Sequence, residues 1–247
     1  MSTPSSTQVI ITTFEQYNDI INDAAALAIL QDVFIGRIDQ VSDVSMFGHV
    51  NTLQLYHLPN IVSLAGLGNV NNLTLSGLDG VTQLGPVKTV EYLYCYYMKN
   101  VCDIGDLQGN SFQRVSLQDL NGITDVSSLI NVPTVHLINL YNVSDVSALR
   151  NSCSVELQSL PLVADVGVLS DVKYLNLLAM DGVTDVSKLC NVPYLNIQKC
   201  NSIIMGIDDL TNNTKLYIHN YKPTETVVGK PFIYPIWVSS CDAVATA

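Results

Sequence analysis

The sequence predicts a repeat solenoid, and three observations predict it. First, four consecutive blocks share one twenty-residue frame without a gap: ITDVSSLINVPTVHLINLYN from Ile123, VSDVSALRNSCSVELQSLPL from Val143, VADVGVLSDVKYLNLLAMDG from Val163 and VTDVSKLCNVPYLNIQKCNS from Val183. Second, the apolar positions of that frame are 1, 4, 7, 10, 13, 15 and 18, with Asp at 3 and often Asn or Gly at 20. Third, 48% of the 247 residues are hydrophobic and only 13% are charged, which suits a stack of coils with many inward positions. Self-similarity at a period of this length marks coils that each bury their apolar face on their neighbours.

Residues 1–30 read as an N-terminal segment with a capping helix. Thr12-Thr13-Phe14-Glu15 fits a capping box, with Thr12 bonding forward and Glu15 reaching back. A helix is expected from there to about residue 29, with Phe14, Tyr17, Ile21, Ala24 and Ala28 on one face. That helix covers the first exposed coil, as a solenoid requires.

Residues 31–221 read as the solenoid, about nine repeats long. A first strand is expected at Val33-Phe34-Ile35. Full repeats start at Val41, Ile61, Val81, Val101, Ile123, Val143, Val163, Val183 and Ile204. The fourth carries two extra residues near Gln108. In the ninth, Asn213 takes the apolar position 10 and Gly206 replaces the Asp. Strands fall at positions 12–16, as in Leu53-Gln54-Leu55 and Leu175-Asn176-Leu177, with alternate side chains inward. Their stacking makes a parallel sheet. The other side of each coil, V-x-D-V-S-x-L, is too short for a full helix, so extended or 3-10 segments and low curvature are expected.

Residues 222–247 form a tail with prolines at 223, 231 and 235. Phe232, Tyr234 and Trp237 belong to its apolar stretch, which either caps the last coil or docks on another molecule.

The pattern L-x-L-x-x-L-x-x-V-x-D-V-S-x-L-x-N-V resembles the leucine-rich repeat superfamily. Ile123-Thr124-Asp125-Val126-Ser127 and Val183-Thr184-Asp185-Val186-Ser187 look like the internalin-type repeat in particular. The coils are about two residues shorter than that family's. The family's buried Asn after the strand is replaced by Leu58, Leu78, Met98, Leu120, Leu140, Leu160, Met180 and Cys200 at position 18, so an apolar ladder is expected there. Short repeats of this kind are also similar to those encoded by giant DNA viruses. The resemblance implies binding or scaffolding rather than a reaction. Protein partners are expected, such as capsid or other components of a large assembly, with a place in a virus particle as a minor capsid or accessory protein. The alternative is an adhesin or glycan-binding module.

The residues themselves point the same way. The net charge of −11 disfavours nucleic acid and anionic membranes, and no apolar run reaches the length of a membrane helix. MSTPSSTQ carries no basic residue before an apolar core, so a signal peptide is not expected and the location expected is the cytoplasm or a virion. The six cysteines form no C-x-x-C pair and read as free thiols, with Cys95 and Cys200 in core positions. No catalytic, cofactor or metal motif is present, and His49, His57, His136 and His219 lie in different coils. Asp43, Asp103, Asp125, Asp145, Asp165 and Asp185 share position 3. One carboxylate per coil is too few for calcium, so turns in which each Asp accepts a backbone amide two residues on are the favoured reading.

The outward sheet face carries the candidate binding residues. Tyr92, Tyr94 and Tyr96 hold positions 12, 14 and 16 of one strand, with Tyr97 just beyond; Tyr56, His136, Tyr174, Tyr194 and Tyr217 share the outward rows. At the outward strand positions of the full repeats only Arg114, Glu156 and Lys215 are charged. Tyrosine concentrated on a weakly charged face favours an interface over a stack that merely stabilises the sheet.

Overall fold

The computed structural model describes residues 7–219, apart from Gly68, Pro86, Lys88 and 108–110. The tail, with Phe232, Tyr234 and Trp237, lies outside the described residues. The chain divides into two compact units, Met1–Ser128 and Leu129–Ala247.

In the first unit six strands run parallel in chain order: β1 (Gln8–Ile11), β2 (Asp32–Gly36), β3 (Thr52–Tyr56), β4 (Asn72–Ser76), β5 (Tyr92–Tyr96) and β6 (Arg114–Gln118). The second holds β7 (Thr134–Ile138), β8 (Ser154–Gln158), β9 (Tyr174–Leu178), β10 (Tyr194–Gln198) and β11 (Lys215–His219), again parallel and in order. Each full repeat contributes one five-residue strand at positions 12–16. Corresponding positions stand side by side, as in Leu53↔Leu73↔Leu93 and Val155↔Leu175↔Leu195. This register buries the pair at 13 and 15 in one file each, which is the physical content of the repeat.

The other apolar positions complete the core. In the second unit Val143, Val146, Leu149, Val155, Leu157 and Leu160 are all buried, as are their counterparts one coil on. The position-18 residues, from Leu58 to Cys200, are fully buried and form the apolar ladder expected in place of Asn. Each such Leu or Val contributes about 1.5–3 kcal/mol when removed from water. Position 10 of the sixth repeat is Ser152, whose hydroxyl donates to the carbonyl of Val132 at 2.7 Å, so the column stays polar-satisfied there.

Opposite the sheet are short 3-10 turns, such as Ser45–Phe47, Ser147–Asn151, Gly167–Leu169 and Ser187–Asn191. The position-3 aspartates start them. Amides two residues on donate to Asp43, Asp103, Asp125, Asp145, Asp165 and Asp185 at 2.7–2.8 Å. The carboxylates are therefore turn-formers. The Ser147 and Ser187 amides hold Asp145 and Asp185 below the usual carboxylate range. A lowered native pKa contributes stability above the ordinary range that is lost as pH falls through the lowered value. Asp145→Ala is expected to lower the thermal midpoint at neutral pH, with the gap to the parent narrowing below about pH 4. A gap that does not change with pH would refute the charge-assisted turn.

The strands end in a costly bend. Position 17 takes a left-handed conformation in Arg37, His57, Tyr97, Asp119, Asn139, Ser159, Ala179 and Lys199, with φ between 50° and 62°, and in Gly77. This aims the position-17 amide at the position-16 carbonyl of the next coil, as Ala179 does to Gln198 at 2.9 Å. A non-glycine residue pays about 1–2 kcal/mol for that bend, while glycine adds about 0.5–1 kcal/mol of chain entropy. Ala179→Gly should therefore stabilise by about 0.5–1 kcal/mol in urea unfolding; destabilisation would mean the methyl packs more usefully than the bend costs.

The N-terminal segment differs from expectation in four respects. β1, not β2, is the first strand, because Val9–Ile11 finds a parallel partner in β2. The helix is two pieces, α1 (Phe14–Asn22) and α2 (Ala24–Ala28), because the Asp23 carboxylate accepts from Ala25 and Ala26 and starts a new helix. The capping box is Thr13 with Gln16, one residue later than Thr12 with Glu15. Of the expected apolar face only Tyr17 is buried, while Phe14, Ala24 and Ala28 are exposed. Tyr17 packs on Phe47 and donates its hydroxyl to the carbonyl of Asp43, so α1 does sit against the first full coil.

Two further expectations are corrected. The ninth coil begins at Ile203, which is buried, and not at Ile204, which is 78% exposed. Met205 bridges Asp185, so the extra residue enters after position 3. Cys153 is disulfide-bonded rather than a free thiol; at position 11 it lies on the half-exposed rim of its coil, unlike the buried Cys95 and Cys200. Burial pushes the thiols of those two upward, so they stay protonated.

Candidate binding face

Positions 12, 14 and 16 point away from the core in both units, because alternation sends 13 and 15 inward. In the first unit the face begins with Phe34 and Tyr56, whose rings stack with centroids 5.1 Å apart. Phe34 belongs to the incomplete coil before Val41, so counting repeats from Val41 misses it; its sequence signal is the V-F-I alternation. On β5, Tyr92, Tyr94 and Tyr96 are half-buried and in one line, and the Tyr94 and Tyr96 rings stack at 6.4 Å. Burial raises the Tyr96 phenol, partly offset by a hydrogen bond with Ser116. Tyr97 is 58% exposed at the bend, and its hydroxyl accepts from the Gln118 amide at 3.3 Å. Arg114 stands next to Tyr92 across the strands.

In the second unit the middle row is His136, Glu156, Asn176 and Asn196, followed by Tyr217. From Gln198, at position 16, a directed chain of hydrogen bonds runs through the row's middle members. Gln198 donates to Asn196 at 3.1 Å, and Asn196 donates to Asn176 at 2.9 Å. Asn176 also hydrogen-bonds the Glu156 carboxylate, whose pKa is nevertheless raised because burial outweighs that bond. The row at position 12 carries Tyr174 and Tyr194, with ring centroids 4.5 Å apart and planes 19° from parallel. The ammoniums of Lys173 and Lys215 each lie over one of these rings, 5.4 Å from the centroid. Tyr217 lies on β11 with its ring 6.2 Å from that of His219.

The face thus gathers the candidates into separate groups. Tyr56 joins Phe34; Tyr92, Tyr94, Tyr96 and Tyr97 form a second group; Tyr174 and Tyr194 form a third. His136 lies in the polar row, apart from the aromatics. Lys173 was not among the candidates, since position 11 falls just outside the strand; the Tyr recurring at position 12 in Lys173-Tyr174 and Pro193-Tyr194 is the signal that marks the spot.

Five-residue strands recur with a twenty-residue period in strict parallel register, each followed by a buried apolar file. The fold is a leucine-rich-repeat-like solenoid. No family model matches the chain, and no curated protein does. Among solved structures it is similar to an internalin, inlF, from Listeria monocytogenes, with a TM-score of 0.47 and 19% identity over 80% of this chain and 72% of that one. Solenoids of this kind present extended surfaces for binding. Among the described residues, no helix of this one is long and apolar enough to cross a membrane.

Proposed function

We propose that this protein is a non-enzymatic scaffold that binds other proteins through the outward face of its sheet, as part of a larger assembly. The carrying observation is the grouping of half-buried tyrosines on a sheet whose full-repeat strands present few charges. Tyrosine supplies large contact area at low entropy cost, and in-register strands hold each ring in place before a partner arrives. The occupied ring faces of Tyr174 and Tyr194 favour protein over sugar, because a saccharide stacks on a free aromatic face. The assembly proposed is a virus particle, with this chain as a minor capsid or accessory component.

The test compares three variants for association with the partner that copurifies with the native chain. Changing Tyr92, Tyr94 and Tyr96 together to Ser, or Tyr174 and Tyr194 together to Ser, is expected to weaken association at least about tenfold if either group is an anchor. Changing Asp125 and Asp165 to Asn, on the opposite side, should leave it intact. Full association by both folded tyrosine variants would rule out the sheet face.

A further inference from the structure

The outward face of the second unit carries two lysines, in a half of the chain that is less acidic than the first. Twelve acidic and four basic residues precede Leu129, while ten acidic and seven basic follow it. Two of those seven, Lys173 and Lys215, sit over Tyr174 and Tyr194. The two rings stack at 4.5 Å and so cover each other's inner faces, which leaves only the outer faces for the ammoniums. The result is a four-layer stack in the order Lys173, Tyr174, Tyr194, Lys215.

Neither lysine has a carboxylate partner among the described residues. A ring quadrupole attracts an ammonium without neutralising it, so both charges are positioned and unanswered. The adjacent chain of Gln198, Asn196, Asn176 and Glu156 bonds internally. Its carboxylate is engaged by Asn176 rather than by a lysine.

Building on the reading of this face as a protein-binding surface, we propose that the Lys173–Tyr174–Tyr194–Lys215 stack docks an acidic, extended segment of a partner protein. The dimensions agree. The centroid distances put the two ammoniums no more than about 15 Å apart, and residues i and i+4 on one side of an extended chain stand about 13 Å apart. Carboxylates at i and i+4 meet the two ammoniums, and the residue between them lies along the phenol edges. Sugar is disfavoured here because each ring has both faces occupied.

The experiment titrates a hexaglutamate peptide into the full-length chain and follows backbone amide shifts. The expected result is shifts confined to β9, β10 and β11 and an affinity that falls several-fold between about 20 mM and about 200 mM salt, as screening shortens. Lys173→Met with Lys215→Met keeps the side-chain stems over the rings but removes both charges; it should hold its thermal midpoint and lose the peptide. Shifts elsewhere, or unchanged peptide affinity in that double variant, would overturn the proposal. Tighter binding of an acidic oligogalacturonate than of the peptide would also overturn it, in favour of an anionic saccharide. The double lysine variant is also assayed with the copurifying partner. Partner loss by the Tyr92, Tyr94 and Tyr96 variant alone, with full binding by the lysine variant, would sink this inference and leave the broader reading of the face standing. Full binding by both would remove the two together.

Discussion

Leu137→Asp is expected to cost at least about 4 kcal/mol, a large part of a typical domain's stability. Leu137 is fully buried at position 15, beside Leu157 in the next coil. The substitution removes a leucine from a close-packed file, worth about 2–5 kcal/mol, and asks a carboxyl to lose its water with no partner in reach. His136→Asp, one residue away, faces outward. It brings a second carboxylate beside Glu156 across the strands, a like-charge pair that costs about 1 kcal/mol or less. Urea unfolding of the two variants decides the matter. Similar midpoints would show that positions 13 and 15 are not the inward ones.

Gly48→Ala should be the most damaging of the small substitutions, at about 3 kcal/mol in the same unfolding measurement. A methyl on Gly48 would overlap the backbone carbonyl oxygen of Gly66 in the next coil, and Gly66 itself holds φ at 89°. Backbone cannot swing aside as a long side chain can, so the two coils must separate locally and loosen the buried Phe47 beneath them. Gly85 supplies the control, because a methyl there meets nothing within 4 Å. Gly85→Ala is expected to be neutral or slightly stabilising through reduced freedom of the unfolded chain. Equal effects at the two sites would mean that coil spacing on this side is looser than the contact between Gly48 and Gly66 requires.

Both predictions rest on different kinds of information. The frame behind Leu137 is legible in one dimension: a period of twenty, an alternation of two within it and an Asp two residues before the amide it accepts. Each is a local or strictly repeating relation, so reading residues in order recovers the strands at positions 12–16, the inward pairs, the aspartate turns and the row of tyrosines on β5. The contact between Gly48 and Gly66 joins two coils through positions that do not correspond in the frame, 8 in one and 6 in the next. Nothing in either block announces it.

The remaining differences have the same origin. β1 is a strand because β2 is beside it, although Val9–Ile11 alone is too short to declare itself. Asp23 divides the helix because its carboxylate reaches two amides at once. Ile203 rather than Ile204 opens the ninth coil because only the former continues the buried file from Val183. The Lys–Tyr–Tyr–Lys stack draws Lys173, Tyr174, Tyr194 and Lys215 from three coils. The sequence by itself determined the solenoid, its inward columns and the tyrosine-bearing face, since these follow from periodic burial. Which side chains meet across coils, and so where a partner's charge would be answered, was decided only by tertiary packing, because contacts between residues some twenty apart depend on register and not on local propensity.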